Sequence, residues 1–304
     1  MKLEETIAAA LGRAVQALAE ASPTPRLDAE LLLAHTLGWS RAQLLAEGRQ
    51  ALTLEQQAAF SALIERRRSL EPVAYLIGQR EFYGLQFEVT PDTLVPRPET
   101  ELLVDLALEL VGQRTKNREQ RTKNKEQRTE NREQSPIRAA DVGTGTGCIA
   151  VAFALNCPQA QVLAVDISAA ALAVAGRNLA RHGLEQRVTL IEGDLLAALN
   201  RPVDLLLSNP PYVIMAEIDE NVRRHEPHLA LDGGLDGLDV YRRLLAQAPA
   251  KLLPGGAIVL EIGAWQAAAV MALGAAHFPG ARITVHRDLA GLDRVVVIET
   301  NDSV

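Results

Sequence analysis

The chain reads Arg138-Ala139-Ala140-Asp141-Val142-Gly143-Thr144-Gly145-Thr146-Gly147 where an apolar stretch runs into a glycine-rich loop. Glycine adopts backbone conformations that a β-carbon forbids, so such a loop lets a ligand approach the main chain closely. The spacing is Gly-x-Gly-x-Gly, and Cys148 stands where a dinucleotide fingerprint needs a glycine. The Gly-Lys-Ser/Thr sequence of a P-loop is also missing. Nicotinamide and ATP are therefore disfavoured, and a tight strand-to-helix connection without a ligand is the alternative.

Strand and helix patterns alternate from Ile137 onward, which predicts a mostly parallel sheet with helices on both faces. In such sheets, ligands bind at the carboxyl ends of the strands. We therefore expect the site among the residues that end or follow the strands. The predicted strands are Arg138–Val142, Gln161–Asp166, Val188–Glu192, Val203–Ser208, Ala257–Ile262, Arg282–His286 and Arg294–Glu299.

Acidic side chains stand at the ends of the first three of these strands. Asp166 lies about 20 residues beyond the glycine loop, where an acidic residue can accept hydrogen bonds from both ribose hydroxyls. Asp194 can accept from an adenine amino group, and Leu195 offers a backbone amide and an apolar contact to the ring. Asp141 can face the cationic end of the ligand. This acidic set predicts S-adenosylmethionine, with helix N-caps as the alternative for Asp166 and Asp194.

A second motif, Asn209-Pro210-Pro211-Tyr212, follows the fourth strand. The nitrogen of an amide or nucleobase amine is a poor nucleophile, because its lone pair is delocalised. The Asn209 side-chain oxygen and the Pro210 carbonyl can hold its N–H groups, while Tyr212 stacks on the planar group. Preorganised dipoles of this kind stabilise charge that develops during a reaction. We therefore assign catalysis to Asn209, Pro210 and Tyr212, with an ordinary turn as the alternative.

The rest of the chain divides into three predicted parts. Residues 1–75 form a small all-helical domain, because apolar residues recur there at helical spacing, and Thr53 is predicted to cap one of its helices. Residues 76–98 form a linker with a β-hairpin, because aromatic and apolar residues alternate around Gly84. Residues 99–304 carry the sheet and begin with a helix near Glu99.

A polar repeat interrupts this third part. The unit Gln-Arg-Thr-Lys/Glu-Asn-Arg/Lys-Glu occurs three times, starting at Gln113, Gln120 and Gln127. No apolar residue occupies any position, so the repeat cannot form a coiled-coil seam. A tract this polar cannot bury a core and is expected to be disordered or a solvated helix. We interpret residues 113–135 as a tolerated insertion, with nucleic-acid contact as the alternative.

Composition limits the function classes. The chain has 304 residues and a formal net charge of −7, which disfavours broad nucleic-acid binding. Its two cysteines provide no disulfide framework, and no apolar run is long enough to predict a membrane span. The first residues do not resemble a signal peptide, so we expect a cytoplasmic protein. His225, Glu226 and His228 have ligand-like spacing, but the polar, turn-rich segment around them predicts no metal.

Several further stretches carry a resemblance to a known family. The chain resembles the peptide chain release factor glutamine methyltransferases over nearly its whole length. Besides the glycine loop and the Asn-Pro-Pro-Tyr motif, the resemblance is carried by Pro72–Gly78, Phe82–Phe87, Val95-Pro96-Arg97-Pro98-Glu99-Thr100-Glu101, Glu226-Pro227, Ala230–Gly234, Asp236-Gly237-Leu238 and Asp288–Arg294. The repeat is foreign to the family, and Leu195 stands where an aromatic residue is sometimes found.

The resemblance implies an α/β fold, namely a Rossmann-like, seven-stranded S-adenosylmethionine-dependent methyltransferase domain preceded by an all-α N-terminal domain and a β-hairpin linker. It implies methyl transfer to the side-chain N5 of the glutamine in the Gly-Gly-Gln motif of release factors, with the N-terminal helices and hairpin helping to dock the factor. No membrane, metal or direct nucleic-acid partner is implied. The implied cofactor contacts are Gly143, Thr144, Gly145, Thr146, Gly147, Asp166, Asp194, Leu195 and Asn209, and the implied substrate contacts are Asn209, Pro210, Pro211 and Tyr212.

Two other functions remain open at this point. The Asn-Pro-Pro-Tyr motif is shared with enzymes that methylate adenine N6 or guanine N2 in DNA or rRNA, and the repeat is basic. Such enzymes flip a base out of its stack and need a basic surface to hold the strand, which we find nowhere outside the repeat. The third hypothesis is a non-catalytic module that docks on the translation machinery, although neither motif is degraded.

Overall fold

A computed structural model describes residues 5–123, 136–218 and 220–301. The chain folds into two compact units. The smaller unit comprises Met1–Gln79 and Glu220–His225, and the larger one comprises Arg80–Asp219 and Glu226–Val304.

The smaller unit is helical, as its apolar spacing predicts. Its core is formed by Ile7, Leu32, Leu33, Leu44 and Phe60, among others. The predicted cap at Thr53 is confirmed, since the Thr53 hydroxyl accepts from the Gln56 amide and the Gln56 side chain accepts from the Thr53 amide. The helices are α1 (Ile7–Ala17), α2 (Pro25–Leu37), α3 (Arg41–Ala46), α4 (Leu54–Arg68), α5 (Val73–Ile77) and, later in the chain, α9 (Glu220–His225).

The predicted β-hairpin is present as β1 (Gln79–Phe82) and β2 (Leu85–Glu88). Tyr83 and Gly84 form its turn, and both have positive φ, at 56° and 72°. Two-residue hairpin turns of this handedness match the twist of the strands that they join. The hairpin buries Phe82 and Phe87 in the core of the larger unit.

A helix predicted near Glu99 begins with a 3-10 turn at Pro98–Thr100 and continues as α6 (Glu101–Lys123). Its apolar residues up to Val111 belong to the core. The backbone is helical into the polar repeat as far as Lys123, and residues 124–135 of the predicted insertion lie outside the described residues.

All seven predicted strands of the large sheet are observed, in the order β5-β4-β3-β6-β7-β9-β8. The first five strands of this order are parallel, and β9 pairs antiparallel with both β7 and β8. The chain order reverses between β3 and β6, which is where open α/β sheets bind ligands. The strands are β3 (Ile137–Val142), β4 (Ala160–Asp166), β5 (Val188–Glu192), β6 (Val203–Ser208), β7 (Leu252–Glu261), β8 (Arg282–Arg287) and β9 (Asp293–Glu299).

Helices cover both faces of this sheet. One face packs against α6, α7 (Cys148–Asn156) and α8 (Ala169–His182), and the other packs against α10 (Asp239–Gln247) and α11 (Ala267–His277). Phe153 and Tyr241 are the largest fully buried side chains that these helices contribute to the two faces. The two apolar layers hold the carboxyl ends of β3, β4 and β6 in fixed positions. Within the described ranges, no helix is both long and apolar enough to cross a membrane.

Candidate active site

The glycine loop connects β3 to α7 and is held against β4. The Gly143 and Thr144 amides both donate to the Val165 carbonyl, at 2.8 and 3.0 Å. Gly143, Gly145 and Gly147 have φ of 74°, 55° and 80°, a region that side chains rarely adopt. A β-carbon added at Gly143 or Gly145 would meet no protein atom within 4 Å. The loop therefore has open space beside its first two glycines.

Asp141 lies beneath this loop and is completely buried. Its Oδ2 accepts from the Thr144 hydroxyl at 2.5 Å and from the Ala150 amide at 3.2 Å. Its Oδ1 has no hydrogen-bond partner among the described residues. Burial raises the pKa of this carboxyl to about 7, and the nearby Asp166 adds to the shift. A cationic group reaching Oδ1 would relieve both effects.

Asp166, at the end of β4, accepts from the Gly145 amide at 2.8 Å and from the Ser168 amide at 2.9 Å. The helix N-cap in this segment is Ser168, whose hydroxyl accepts from the Ala171 amide. Asp166 is therefore not the cap of α8. Its carboxylate joins the glycine loop to the end of β4, and the residue remains partly exposed.

Asp194 and Leu195 follow β5. The Asp194 carboxylate pairs with Arg243, and it makes no capping hydrogen bond to the 3-10 turn that follows. Asp194 thus occupies the N-cap position of this turn, but its side chain does not cap it. Leu195 has φ of 51°, which is strained for a residue with a branched side chain. Such strain persists where the surroundings fix it, and it clusters at ligand sites.

The acceptor turn, Asn209–Tyr212, follows β6 at the carboxyl edge of the sheet. The Asn209 Nδ2 donates to the Thr100 Oγ1 at 3.2 Å, so the other end of the amide, Oδ1, is left for a ligand. Burial raises the pKa of Tyr212 to about 12, which keeps its phenol neutral near pH 7.

The turn is supported from behind by the segment 232–238 and by Gln266. Gln266 Nε2 donates to the Gly237 carbonyl at 2.9 Å and to the Tyr212 carbonyl at 3.4 Å. A β-carbon at Gly233 would lie 2.7 Å from the Tyr212 Cα, and one at Gly237 would lie 2.5 Å from the Tyr212 carbonyl oxygen. Only glycine fits at these two positions. In the sequence, these glycines stand out only because they belong to stretches that carry the family resemblance. The sequence pattern gives no physical reason for them.

Two buried carboxyl groups, Glu261 and Glu226, were not assigned to the site from sequence. Glu261, at the end of β7, is 1% exposed, and burial raises its pKa to about 7. Glu226 is also buried, and both of its oxygens accept from Arg97 Nη2, at 2.6 and 2.8 Å. The sequence did contain a signal for Glu261, since it is an acidic residue at the end of an apolar strand, as Asp141 is.

Two of the three side chains with ligand-like spacing around Glu226 contact other protein groups. The Glu226 carboxylate is occupied by Arg97, and a His225 ring nitrogen lies 3.0 Å from the Ser69 carbonyl. In the described part of the chain, no group of three or more His, Cys, Asp or Glu side chains is placed to hold a metal ion. Cys148 is buried with its thiol pKa raised to about 12, consistent with a packing role.

Two profiles of known protein families match this chain. The one described as "PrmC N-terminal domain" matches residues 9–78, and the one described as "Methyltransferase small domain" matches residues 129–226. The second match includes the glycine loop, Asp166, Asp194 and the acceptor turn.

Curated relatives match almost the whole chain. It is 44% identical over 276 residues to the release factor glutamine methyltransferase of Bordetella pertussis, covering 89% of this chain and 93% of that protein. It is 42% identical over 293 residues to the protein of the same name from Moorella thermoacetica, covering 95% and 96%. Among solved structures, a methyltransferase from Pyrococcus furiosus is 18% identical with a TM-score of 0.50, covering 72% of this chain and 90% of that one, which supports the fold alone.

Proposed function

Because this chain belongs to the release factor glutamine methyltransferase family, we propose that it transfers a methyl group from S-adenosyl-L-methionine to N5 of the glutamine in the Gly-Gly-Gln motif of peptide chain release factors. The observation that carries the proposal is the orientation of Asn209. Its amide nitrogen is taken by Thr100, so its oxygen is available to accept an N–H of a substrate carboxamide. DNA or rRNA methylation is not favoured by these relatives.

The residues around the glycine loop fit S-adenosyl-L-methionine. When bound, this cofactor supplies an electrophilic methyl group on a cationic sulfur. The open space beside Gly143 and Gly145 gives it room against the backbone, and the unpartnered Oδ1 of Asp141 provides a buried acceptor for a cationic group. We assign cofactor binding to Gly143, Thr144, Gly145, Thr146, Gly147, Asp166, Asp194, Leu195 and Asn209.

The acceptor turn does three things for the glutamine. The Asn209 oxygen and the Pro210 carbonyl accept its two N–H groups, which holds the nitrogen in place and favours positive charge on it. Pro211 keeps the turn stiff, and the neutral Tyr212 ring packs on the flat carboxamide. No strong base is required, since a nitrogen that gains a methyl group releases its proton readily. Holding both reactants in line lowers the barrier, by up to about 7–11 kcal/mol in the best intramolecular cases.

We assign the macromolecular part of the substrate to other regions of the chain. In this proposal, the helical residues 1–75 and the hairpin linker 76–98 bind the body of the release factor, while residues 99–304 carry the chemistry. The enzyme then acts in the cytoplasm, where release factors work, and requires no metal, membrane or direct nucleic-acid contact.

The test is transfer of a labelled methyl group to a purified release factor. Label is expected on the intact factor and not on a factor whose Gly-Gly-Gln glutamine is replaced by alanine. Asn209→Ala is expected to lower kcat by about 10²–10³-fold, as loss of one preorganised polar group does. Asn156→Ala is the matched control, because the Asn156 side chain donates to the Ala152 carbonyl of its own helix.

Two outcomes would contradict the proposal. Label that appears equally on the glutamine-replaced factor would assign the methyl group to another atom. Turnover that survives Asn209→Ala undiminished would remove the acceptor turn from the chemistry.

A further inference from the structure

Three polar side chains from distant parts of the sequence form a chain of hydrogen bonds at the acceptor turn. The Asn209 Nδ2 donates to the Thr100 Oγ1 at 3.2 Å, and the Thr100 hydroxyl hydrogen-bonds the Glu261 carboxyl. Thr100 is 2% exposed and Glu261 is 1% exposed, so water does not compete for these contacts. Thr100 comes from the turn before α6 and Glu261 from the end of β7.

The direction of each hydrogen bond follows from the groups involved. A threonine hydroxyl has one hydrogen and two lone pairs, and an ionised carboxylate can only accept. When Glu261 is ionised, the hydroxyl hydrogen must therefore point to it, which leaves only lone pairs facing Asn209. Only the NH₂ end of the Asn209 amide can satisfy them.

We propose that Glu261, acting through Thr100, fixes the side-chain amide of Asn209 so that its oxygen rather than its nitrogen faces the substrate carboxamide. The inference rests on the proposed use of Asn209 to hold the glutamine nitrogen. Thr100 and Glu261 are positioning residues, since neither needs to touch the substrate.

The orientation matters because the two ends of an asparagine amide are nearly the same size. A half-turn of the side chain would keep the shape of the site but would present an NH₂ group to the N–H groups of the glutamine. Two donors would then face each other, and the nitrogen would lose an acceptor that favours charge on it. A buried group with fixed polarity removes this second orientation.

The charge state of Glu261 controls the arrangement. A protonated Glu261 brings its own hydrogen, so the Thr100 hydroxyl is free to turn toward Asn209 and accept either orientation. Burial is the largest cause that raises the pKa of Glu261, to about 7, while the Thr100 hydrogen bond lowers it. The Oε2 of Glu261 has no partner in the part of the chain that the structure describes. The charged and titratable groups around it are Arg97, Glu99, Cys148, Tyr212, Tyr241 and Arg294.

The first experiment compares Thr100→Val with Thr100→Ser in the labelling assay with intact release factor. Valine keeps the shape but has no hydroxyl, and a misplaced reacting group costs up to about 10²-fold, so kcat is expected to fall by about that factor. Serine keeps the hydroxyl and is expected to recover most of the loss. Affinity for S-adenosylhomocysteine, measured by calorimetry, is expected to stay the same in both variants.

Thr93→Val is the matched control. Thr93 is as buried as Thr100 and lies in the same connecting segment, and its hydroxyl donates to the Thr90 carbonyl. Its kcat is expected to equal that of the unaltered enzyme. A wild-type enzyme that does not label the factor would overturn both this inference and the proposed function. A Thr100→Val enzyme as fast as the labelling wild type would overturn this inference alone.

The second experiment is a pH profile of kcat, and it tests the inference even if Thr100→Val folds poorly. The wild-type rate is expected to fall as the pH drops through about 7, because protonation of Glu261 releases the Thr100 hydroxyl. Glu261→Gln cannot ionise, so its rate is expected to be lower at pH 8 and to lack this acid limb. An acid limb that persists unchanged in Glu261→Gln would not come from Glu261 and would overturn the inference.

Discussion

At the scale of single residues, Asp141 and Glu261 have the same environment on either side of β6. Each carboxyl ends a buried strand, each has one oxygen without a hydrogen-bond partner among the described residues, and burial raises the pKa of each to about 7. A protein core holds such groups at a cost, because an ionised carboxylate loses its hydration. Their position beside the glycine loop and the acceptor turn indicates that binding and chemistry, rather than stability, require them.

Asp141→Asn is therefore expected to stabilise the apo protein in a pH-dependent way. The pKa of Asp141 is raised by folding, so its contribution to stability is fully present below the unfolded pKa of 3.8 and is lost as the pH rises through about 7. The loss is on the order of 4 kcal/mol at most, taking 1.36 kcal/mol per pKa unit. The variant is expected to unfold several degrees higher than wild type at pH 8, and at nearly the same temperature at pH 4.

The measurement is thermal unfolding at the two pH values, followed by circular dichroism. Asp92→Asn removes an equal charge from an exposed position in the same unit, and it is expected to change stability by no more than about 0.5 kcal/mol at either pH. Equal unfolding temperatures for wild type and Asp141→Asn at pH 8 would show that ionised Asp141 is not costly in the folded protein.

Some residues of the site can be predicted from sequence because their signal lies in the neighbouring residues, whereas others cannot. Asp166 and Asn209 are recognisable locally, since each ends or follows a predicted strand at the ligand-binding edge. Thr100 and Gln266 are not, because each acts through a contact with a residue more than 50 positions away in sequence, such as the 109-residue separation between Thr100 and Asn209. Such contacts depend on the strand order, which a local pattern does not contain.

At the scale of elements, the acceptor turn is held in place by backbone packing rather than by its own prolines alone. The Gly233 amide donates to the Val213 carbonyl at 2.9 Å, and a β-carbon at Gly233 would lie so close to the Tyr212 backbone that no side chain fits. The segment 232–238 thus fixes the position of the Tyr212 backbone.

Gly233→Ala is expected to lower kcat by about 10²-fold, because a β-carbon 2.7 Å from the Tyr212 Cα must displace the turn. Gly112→Ala is the control, since its β-carbon would meet no atom within 4 Å and alanine favours a helix. Steady-state kinetics with labelled cofactor and release factor measure both. A Gly233→Ala enzyme with unchanged kcat would mean that the turn tolerates the shift.

The strands were predicted well where a continuous apolar run defines them, and poorly at β7. The predicted strand is Ala257–Ile262, whereas β7 begins five residues earlier, at Leu252, and ends at Glu261. The sequence Pro254-Gly255-Gly256 indicates a break, yet the strand continues through an irregularity at which Gly255 has φ of 68° and the pairing with β6 shifts register. Tertiary pairing thus overrides the local turn signal. The antiparallel placement of β9 between β7 and β8 was likewise beyond local patterns.

At the scale of the whole molecule, the polar repeat stands between two elements that form the core of the larger unit. The core residues of α6 end at Val111, and β3 begins at Ile137. Residues 113–134 include no apolar side chain, so they have nothing to contribute to either apolar layer. The core, the glycine loop and the acceptor turn are therefore all complete without the repeat.

Deletion of the last two repeat units, residues 120–133, is consequently expected to leave kcat and KM for the release factor unchanged, and to leave the unfolding temperature within about 2 °C of wild type, as for a surface change of about 0.5 kcal/mol. This deletion keeps one unit to connect α6 to β3. It removes five Lys or Arg residues and three Glu residues, so the control is a full-length variant in which those Lys and Arg residues are replaced by Gln. Loss of activity in both variants would mean that the positive charge contacts substrate and would favour nucleic acid as a partner. Loss in the deletion alone would mean that the length of the insertion is needed to connect α6 with β3.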